Sequence, residues 1–174
     1  IKEEQLINFD CMLEIREKMD LIKGTKIQKE KLKAFFELSK RFSKETKKHI
    51  KKIENPDDVY ELLVDDFMGL EVEHFKVLVL DTKNHVKKIK TISQGTLNAS
   101  IVHPREVFKT ALLNSANSIM LVHNHPSGDP TPSNEDINIT NRLLEAGNLI
   151  GIRVLDHIII GDNKYISFKE KNII

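Results

Sequence analysis

The chain has no tryptophan and one cysteine, Cys11, in 174 residues. A single thiol excludes an internal disulfide, which fits a reducing cytoplasm, and Cys11 reads most simply as a small core residue. Nor is there an apolar run approaching the about 18 residues of a spanning helix. The opening Ile1-Lys-Glu-Glu is not a signal peptide. Together these point away from a membrane and toward a cytoplasmic protein, and the missing initiator methionine suggests a fragment. Internal repeats and low-complexity segments are also lacking. What remains is ordinary for a soluble protein, with 40% hydrophobic and 30% charged residues. The length suffices for one well-buried core and a small appendage.

Net charge is only +1, but it is unevenly spread. Residues 23–52 hold twelve Lys/Arg against three Asp/Glu. Within that stretch Leu32, Phe35, Leu38 and Phe42 recur every three to four residues, as on an amphipathic helix. Its lysines either form a solvated face over a small helical core or face nucleic-acid phosphate.

A polar break at Lys51-Lys-Ile-Glu-Asn55 ends this segment. Asn55 as N-cap, Pro56 at the first helical position and acids in the first turn then open a helix. This divides the chain into a helical segment, 1–54, and a larger domain, 55–174. The larger domain's pattern predicts helix 56–67, strand 73–81, a turn at Lys83-Asn84, strand 86–93, helix 104–114, strand 118–122, helix 133–149 and strands 153–160 and 165–168. The first two strands form a hairpin. Helices interleaved with strands predict an α/β or α+β domain, a mixed sheet sandwiched by helices.

Chemistry concentrates in His123-Asn-His125-Pro-Ser-Gly-Asp-Pro-Thr-Pro-Ser133-Asn-Glu-Asp136. Two histidines one residue apart at a strand end project to the same face, about 6.5–7 Å apart along the backbone, close enough to share an ion. The following loop carries three prolines and a glycine, so it returns a third ligand at little conformational cost. Asp136 is that candidate. Two histidines and a carboxylate leave a tetrahedral zinc one open position for water, as in catalytic sites. Ser133 and Asp136 also have the spacing of a helix N-cap and its reciprocal partner, and the two roles are compatible. Spacing alone does not separate zinc from other divalent ions.

The pattern His-x-His-x7-Ser-x2-Asp, met by His123, His125, Ser133 and Asp136, resembles that of the JAMM (MPN+ or JAB) metalloproteases. The His-Asn-His-Pro-Ser-Gly-Asp-Pro-Thr-Pro-Ser run, Gly95-Thr-Leu-Asn, His103-Pro-Arg-Glu-Val-Phe and Leu155-Asp-His-Ile-Ile-Ile-Gly161 resemble the bacterial RadC family more closely, over about residues 56–169. This resemblance implies a cytidine-deaminase-like JAMM fold, one Zn2+ per chain and hydrolysis of a peptide or isopeptide bond. It also implies a glutamate upstream of the histidines acting on the metal-bound water. Glu73, opening the first strand, matches that position; Glu106, in a first helical turn where the dipole favours an acid, is the reserve. Ser133 would donate to the developing oxyanion.

The end of segment 1–54 resembles the helix-hairpin-helix region that precedes the RadC catalytic domain. Its Gly24-Thr25-Lys26 stands where such hairpins carry Gly-hydrophobic-Gly, a degenerate version of a phosphate-binding turn. Two alternatives to peptide hydrolysis therefore stay open. One is a metal-dependent phosphoesterase or nuclease, which commonly uses a two-metal clamp. The other is a noncatalytic DNA-repair or interaction module holding DNA through residues 23–52. Asp156 and His157 point to opposite faces of their strand, so at most one reaches the site. His157 reads as a satisfied sheet-edge histidine, or as a hydrogen-bond partner of a ligand. Gly95-Thr-Leu-Asn98 reads as a turn. The sequence does not indicate an oligomeric state.

Overall fold

The computed structural model describes residues 25–47, 52–95 and 102–174. The chain divides into two compact units, residues 1–49 and 50–174. In the first unit the described part is one helix, α1 (Lys26–Lys47). Thr25 caps it by accepting from the Gln28 amide, while the Gln28 side chain accepts from the Thr25 amide. The apolar spacing found its helix, but Phe35 and Leu38 are 52% and 66% exposed. Gly24, the only glycine of the degenerate hairpin turn, lies outside the described residues, as do Thr96–Asn98.

The second unit is an α+β domain. Its helices are α2 (Pro56–Phe67), α3 (Pro104–Leu113) and α4 (Asn134–Ile150); its strands are β1 (His74–Leu80), β2 (Val86–Gln94), β3 (Ser118–Asn124), β4 (Arg153–Ile160) and β5 (Tyr165–Ser167). Each helix starts where its sequence can satisfy free amides. Asn55 and Asp58 form a reciprocal capping box around Pro56, and the His103 imidazole accepts from the Arg105 amide ahead of α3. Ser133 and Asp136 make the second capping box, and α4 stops at Gly151, whose φ of +78° suits a glycine.

The strands form one mixed sheet ordered β2-β1-β3-β4-β5. β1 is antiparallel to both neighbours, β3 and β4 are parallel across α4, and β5 closes the edge antiparallel. Strand alternation sends side chains to two cores. Phe75, Val77, Val79, Ile119 and Leu121 pack with Val107, Phe108 and Ala111 of α3 and Ile139 and Leu143 of α4. On the opposite face Leu78, Leu80, Met120, Val122, Ile158 and Ile160 pack with Val59, Leu63 and Phe67 of α2. The sheet is thus sandwiched by helices, consistent with a JAB/MPN-like domain. Among the described residues no helix is long and apolar enough to cross a membrane.

Two features of this frame place the site. First, β1 and β3 pair with Phe75 opposite His123, and continuing that register by two residues puts Glu73 opposite His125. Second, the β3–β4 ladder slips by one residue: Ile119 pairs with Val154, but Leu121 pairs with His157. The extra residue in β4 reverses its alternation there. His157 consequently shares the sheet face of His123 and α4. β4 lies between β3 and β5, so His157 is not the sheet-edge histidine the sequence suggested but a fully buried one.

Candidate metal centre

β3 carries His123 as its penultimate residue and ends at Asn124, so His125 begins the loop with its side chain returned to the same face. The His125 amide donates to the Ile160 carbonyl, extending the sheet's hold by one residue. The loop then turns at Gly128 (φ +80°), whose amide donates to the His125 carbonyl and whose own carbonyl accepts from the Asp162 amide. Gly161 permits this contact: a Cβ there would lie 2.3 Å from the Gly128 carbonyl oxygen. The loop is thereby seated on the β4–β5 turn, and it delivers Ser133 and Asp136 at the start of α4.

The result brings His123, His125 and Asp136 together, each offering a ligand atom within 4.8 Å of the others. The two Nε2 atoms are 3.0 Å apart. Asp136 Oδ1 lies 3.1 Å from His123 Nε2, and Oδ2 lies 3.4 Å from His125 Nε2. His123 is completely buried and Asp136 nearly so, while His125 is partly open.

Hydrogen-bond chemistry tests whether a metal suits these atoms. His125 Nδ1 lies 2.8 Å from the Asp129 carbonyl oxygen, which can only accept, so Nδ1 carries the proton and Nε2 presents a lone pair. Asp136 contributes only acceptor oxygens. These atoms converge in a largely buried pocket as a group able to hold a cation, and two nitrogens with one carboxylate oxygen suit a divalent transition metal.

Burial pushes the Asp136 carboxyl up, but the adjoining His123 and His125 rings, with the Ser133 hydroxyl that donates to it, outweigh this and hold the group well below the usual carboxylate range. Burial keeps His123 below its ordinary value despite Asp136, favouring the neutral ring a metal requires. His125 is raised, chiefly by the neighbouring Asp136 carboxylate, against the effect of burial. Burial lowers His157 strongly.

Ser133 makes three hydrogen bonds with Asp136. Its hydroxyl donates to Oδ2 at 2.7 Å, its amide donates to the same oxygen at 2.8 Å, and its Oγ accepts from the Asp136 amide. Glu73 immediately precedes β1, half-buried, close enough for its charge to raise both His123 and His125. Glu106 sits on α3 beside Arg105 at 3.3 Å, with its side chain 47% exposed, and is not part of the ligand group.

Sequence reasoning missed Asn124. Its side chain is 4% exposed. Oδ1 accepts from the His74 amide at 2.8 Å, and Nδ2 donates to the Val72 carbonyl at 3.3 Å. One amide therefore clamps the backbone on both sides of Glu73, and the Gly95 amide holds the Glu73 carbonyl at 2.8 Å. A polar residue alternating into the apolar α2 face was the available signal. Asp156, pointing away from His123, binds the His157 and Lys169 amides and the Ser167 hydroxyl instead.

The family model described as RadC-like JAB domain matches residues 53–173. A UPF0758 protein of Caldanaerobacter subterraneus subsp. tengcongensis is 53% identical over 172 residues, covering 98% of this chain and 73% of its own length. One from Alkaliphilus oremlandii is 53% identical over 166 residues, covering 95% and 70%. Another from Shouchella clausii is 56% identical over 140 residues, covering 80% and 61%.

Proposed function

The chain belongs to the RadC-like JAB-domain family, and from that premise and the ligand geometry we propose that it is a zinc-dependent hydrolase of amide bonds, peptide or isopeptide. The observation carrying this reading is the convergence of two histidine nitrogens and one carboxylate, with Glu73 near enough for its charge to act on both histidines. When bound by His123, His125 and Asp136, zinc supplies a Lewis acid that polarises a carbonyl and lowers the pKa of water from about 16 toward about 7.

The remaining work falls to the chain's own groups. Glu73, opposite His125, takes the proton from the attacking water and returns it to the leaving amine, a role a positioned carboxylate fills in both directions. Ser133 turns its hydroxyl from Asp136 toward the developing oxyanion, while its amide keeps Asp136 oriented. Among the described residues only one such ligand group forms, which favours amide over phosphodiester hydrolysis, where a two-metal clamp is common.

The alternative reading is a DNA-associated repair or interaction module that holds DNA through residues 23–52. It is supported by the exposed Lys26, Lys31 and Lys33 on α1, whose charge suits phosphate, and it goes with a cytoplasmic setting in DNA repair as part of the same proposal.

Elemental mass spectrometry of untagged protein tests the centre, with Asp136→Ala and His125→Ala alongside. We expect one zinc per chain, lost in both variants. Peptide and isopeptide substrates are then screened with Glu73→Gln, expected to retain zinc and lose turnover. Wild type that takes up no zinc on titration overturns the reading.

A further inference from the structure

His123 has a second ring nitrogen, and what it meets is unusual. Nδ1 lies 2.8 Å from Nε2 of His157, a second fully buried imidazole. Nδ1 of His157 lies 2.6 Å from the Thr140 hydroxyl oxygen. That hydroxyl is in turn 2.5 Å from the backbone carbonyl of Asp136. The His157 ring is flanked by Phe75 and Phe168, with centroids at 5.5 and 4.7 Å, which restricts its rotation.

The direction of every proton in this chain follows from its end. A carbonyl oxygen only accepts, so the single Thr140 hydroxyl proton points at Asp136 O. Thr140 Oγ1 must then accept from His157, which places the proton on His157 Nδ1. His157 Nε2 is therefore a bare acceptor, and His123 can satisfy it only with a proton on its own Nδ1. His123 Nε2 is left with its lone pair toward His125 and Asp136. We propose that Thr140 and His157 are positioning residues that lock His123 in the one tautomer able to bind metal through Nε2.

This rests on the metal-centre reading above and deepens it. Ligand histidines usually donate their second N–H to a carboxylate, a backbone carbonyl or water. A neutral imidazole in that place fixes the ring as firmly but adds no negative charge. Asp136 is then the only anion among the ligands, and more of the ion's charge remains available to polarise a substrate. The relay also ties the site to its scaffold. Thr140 lies one helical turn after Asp136 on α4, so the helix that brings the carboxylate ligand also sets the imidazole ligand's proton.

The test uses the full chain, zinc affinity by competition with a chromophoric chelator, and imidazole 15N–1H correlation spectra of the zinc-loaded protein. We expect His157 protonated at Nδ1 and bare at Nε2, opposite to the tautomer free histidine favours. His157→Phe, which keeps a ring but removes the acceptor, should weaken zinc binding about 10- to 100-fold. His157→Gln can place a carbonyl where Nε2 sits and should restore affinity to within a few fold. Thr140→Val leaves all three ligands and should move the His157 proton toward Nε2 with a measurable loss of affinity. Thr140→Val decides the matter if His157→Phe does not fold. Wild type with His157 protonated at Nε2, or a folded His157→Phe or Thr140→Val protein binding zinc as tightly as wild type, overturns the relay alone. Wild type that binds no zinc overturns the metal centre first, and the relay with it.

Discussion

Asn124→Leu separates placing the glutamate from holding the metal. The substitution nearly preserves side-chain volume but removes one acceptor and two donors from a residue only 4% exposed. The His74 amide and Val72 carbonyl lose their partners at 2.8 and 3.3 Å. Leaving such groups unsatisfied costs about 1–3 kcal/mol each if they stay buried. They lie at the strand's start, however, and residues 71 and 72 are exposed, so both groups can reach water if residues 72–74 move. The cheaper outcome is local release, at about 2 kcal/mol in total, the net worth of two ordinary hydrogen bonds.

That figure sets the assay. About 2 kcal/mol corresponds to a roughly 30-fold rise in exchange of the His74 amide, while amides deep in β1 and β3, such as Val77 and Leu121, keep their protection. Zinc affinity should change less than about threefold, because His123 and His125 project to the other face of β3. If the protein hydrolyses amides, kcat should fall by about 10²-fold or more with bound zinc intact, since displacement of a base by an ångström is enough. Unchanged His74 protection would refute the clamp. A fall in zinc affinity parallel to the exchange would show that Asn124 supports the ligands rather than Glu73.

Other perturbations test other parts of the argument. Gly161→Ala should lift loop 126–132 off the β4–β5 turn, because its Cβ would stand 2.3 Å from the Gly128 oxygen; zinc affinity and proteolytic resistance of the loop should fall together. Ser118→Ala removes a buried hydroxyl that has no hydrogen-bond partner among the described residues, so thermal unfolding should show stability unchanged or raised by about 1 kcal/mol, and a loss above that size would reveal a hidden partner. Asn55→Ala breaks the α2 capping box and should lower stability by about 1 kcal/mol in urea titration, without altering zinc binding. Chelation of zinc from the wild type should lower the melting temperature by an amount that grows with the logarithm of the free zinc it replaces, and should leave Asp136→Ala unmoved.

The larger domain was legible because its signals are local. Asn55-Pro56, His103-Pro104 and Ser133 each mark a helix start within one residue, and the apolar runs of β1 and β3 give their strands nearly end to end. The three proposed ligands lie within fourteen residues, so one strand end, one turn and one helix cap suffice to bring them together. Legibility failed where placement depends on pairing distant segments. Glu73 stands opposite His125 through the register of β1 on β3, fifty residues away. Asn124 resembles a spacer between histidines until that pairing exists. On α1, Phe35 and Leu38 have the spacing of a core face yet stay more than half exposed, since periodicity reports a face and not what covers it.

His157 shows why alternation alone gave an incomplete answer. Period-two geometry allows only one of Asp156 and His157 to face the ligands, but it cannot say which, because one extra residue in a strand exchanges the two faces. The slip between Val154 and His157 makes that choice. Asp156 helps hold it, since its carboxylate takes the His157 and Lys169 amides and the Ser167 hydroxyl, tying the slipped stretch of β4 to the end of β5. A carboxylate facing His123 Nδ1 would have added a second negative charge to the centre. The slip instead directs a neutral ring there and gives the acid a structural task on the other side. The polarity of the metal centre thus depends on a one-residue irregularity in β4 as much as on the ligands themselves.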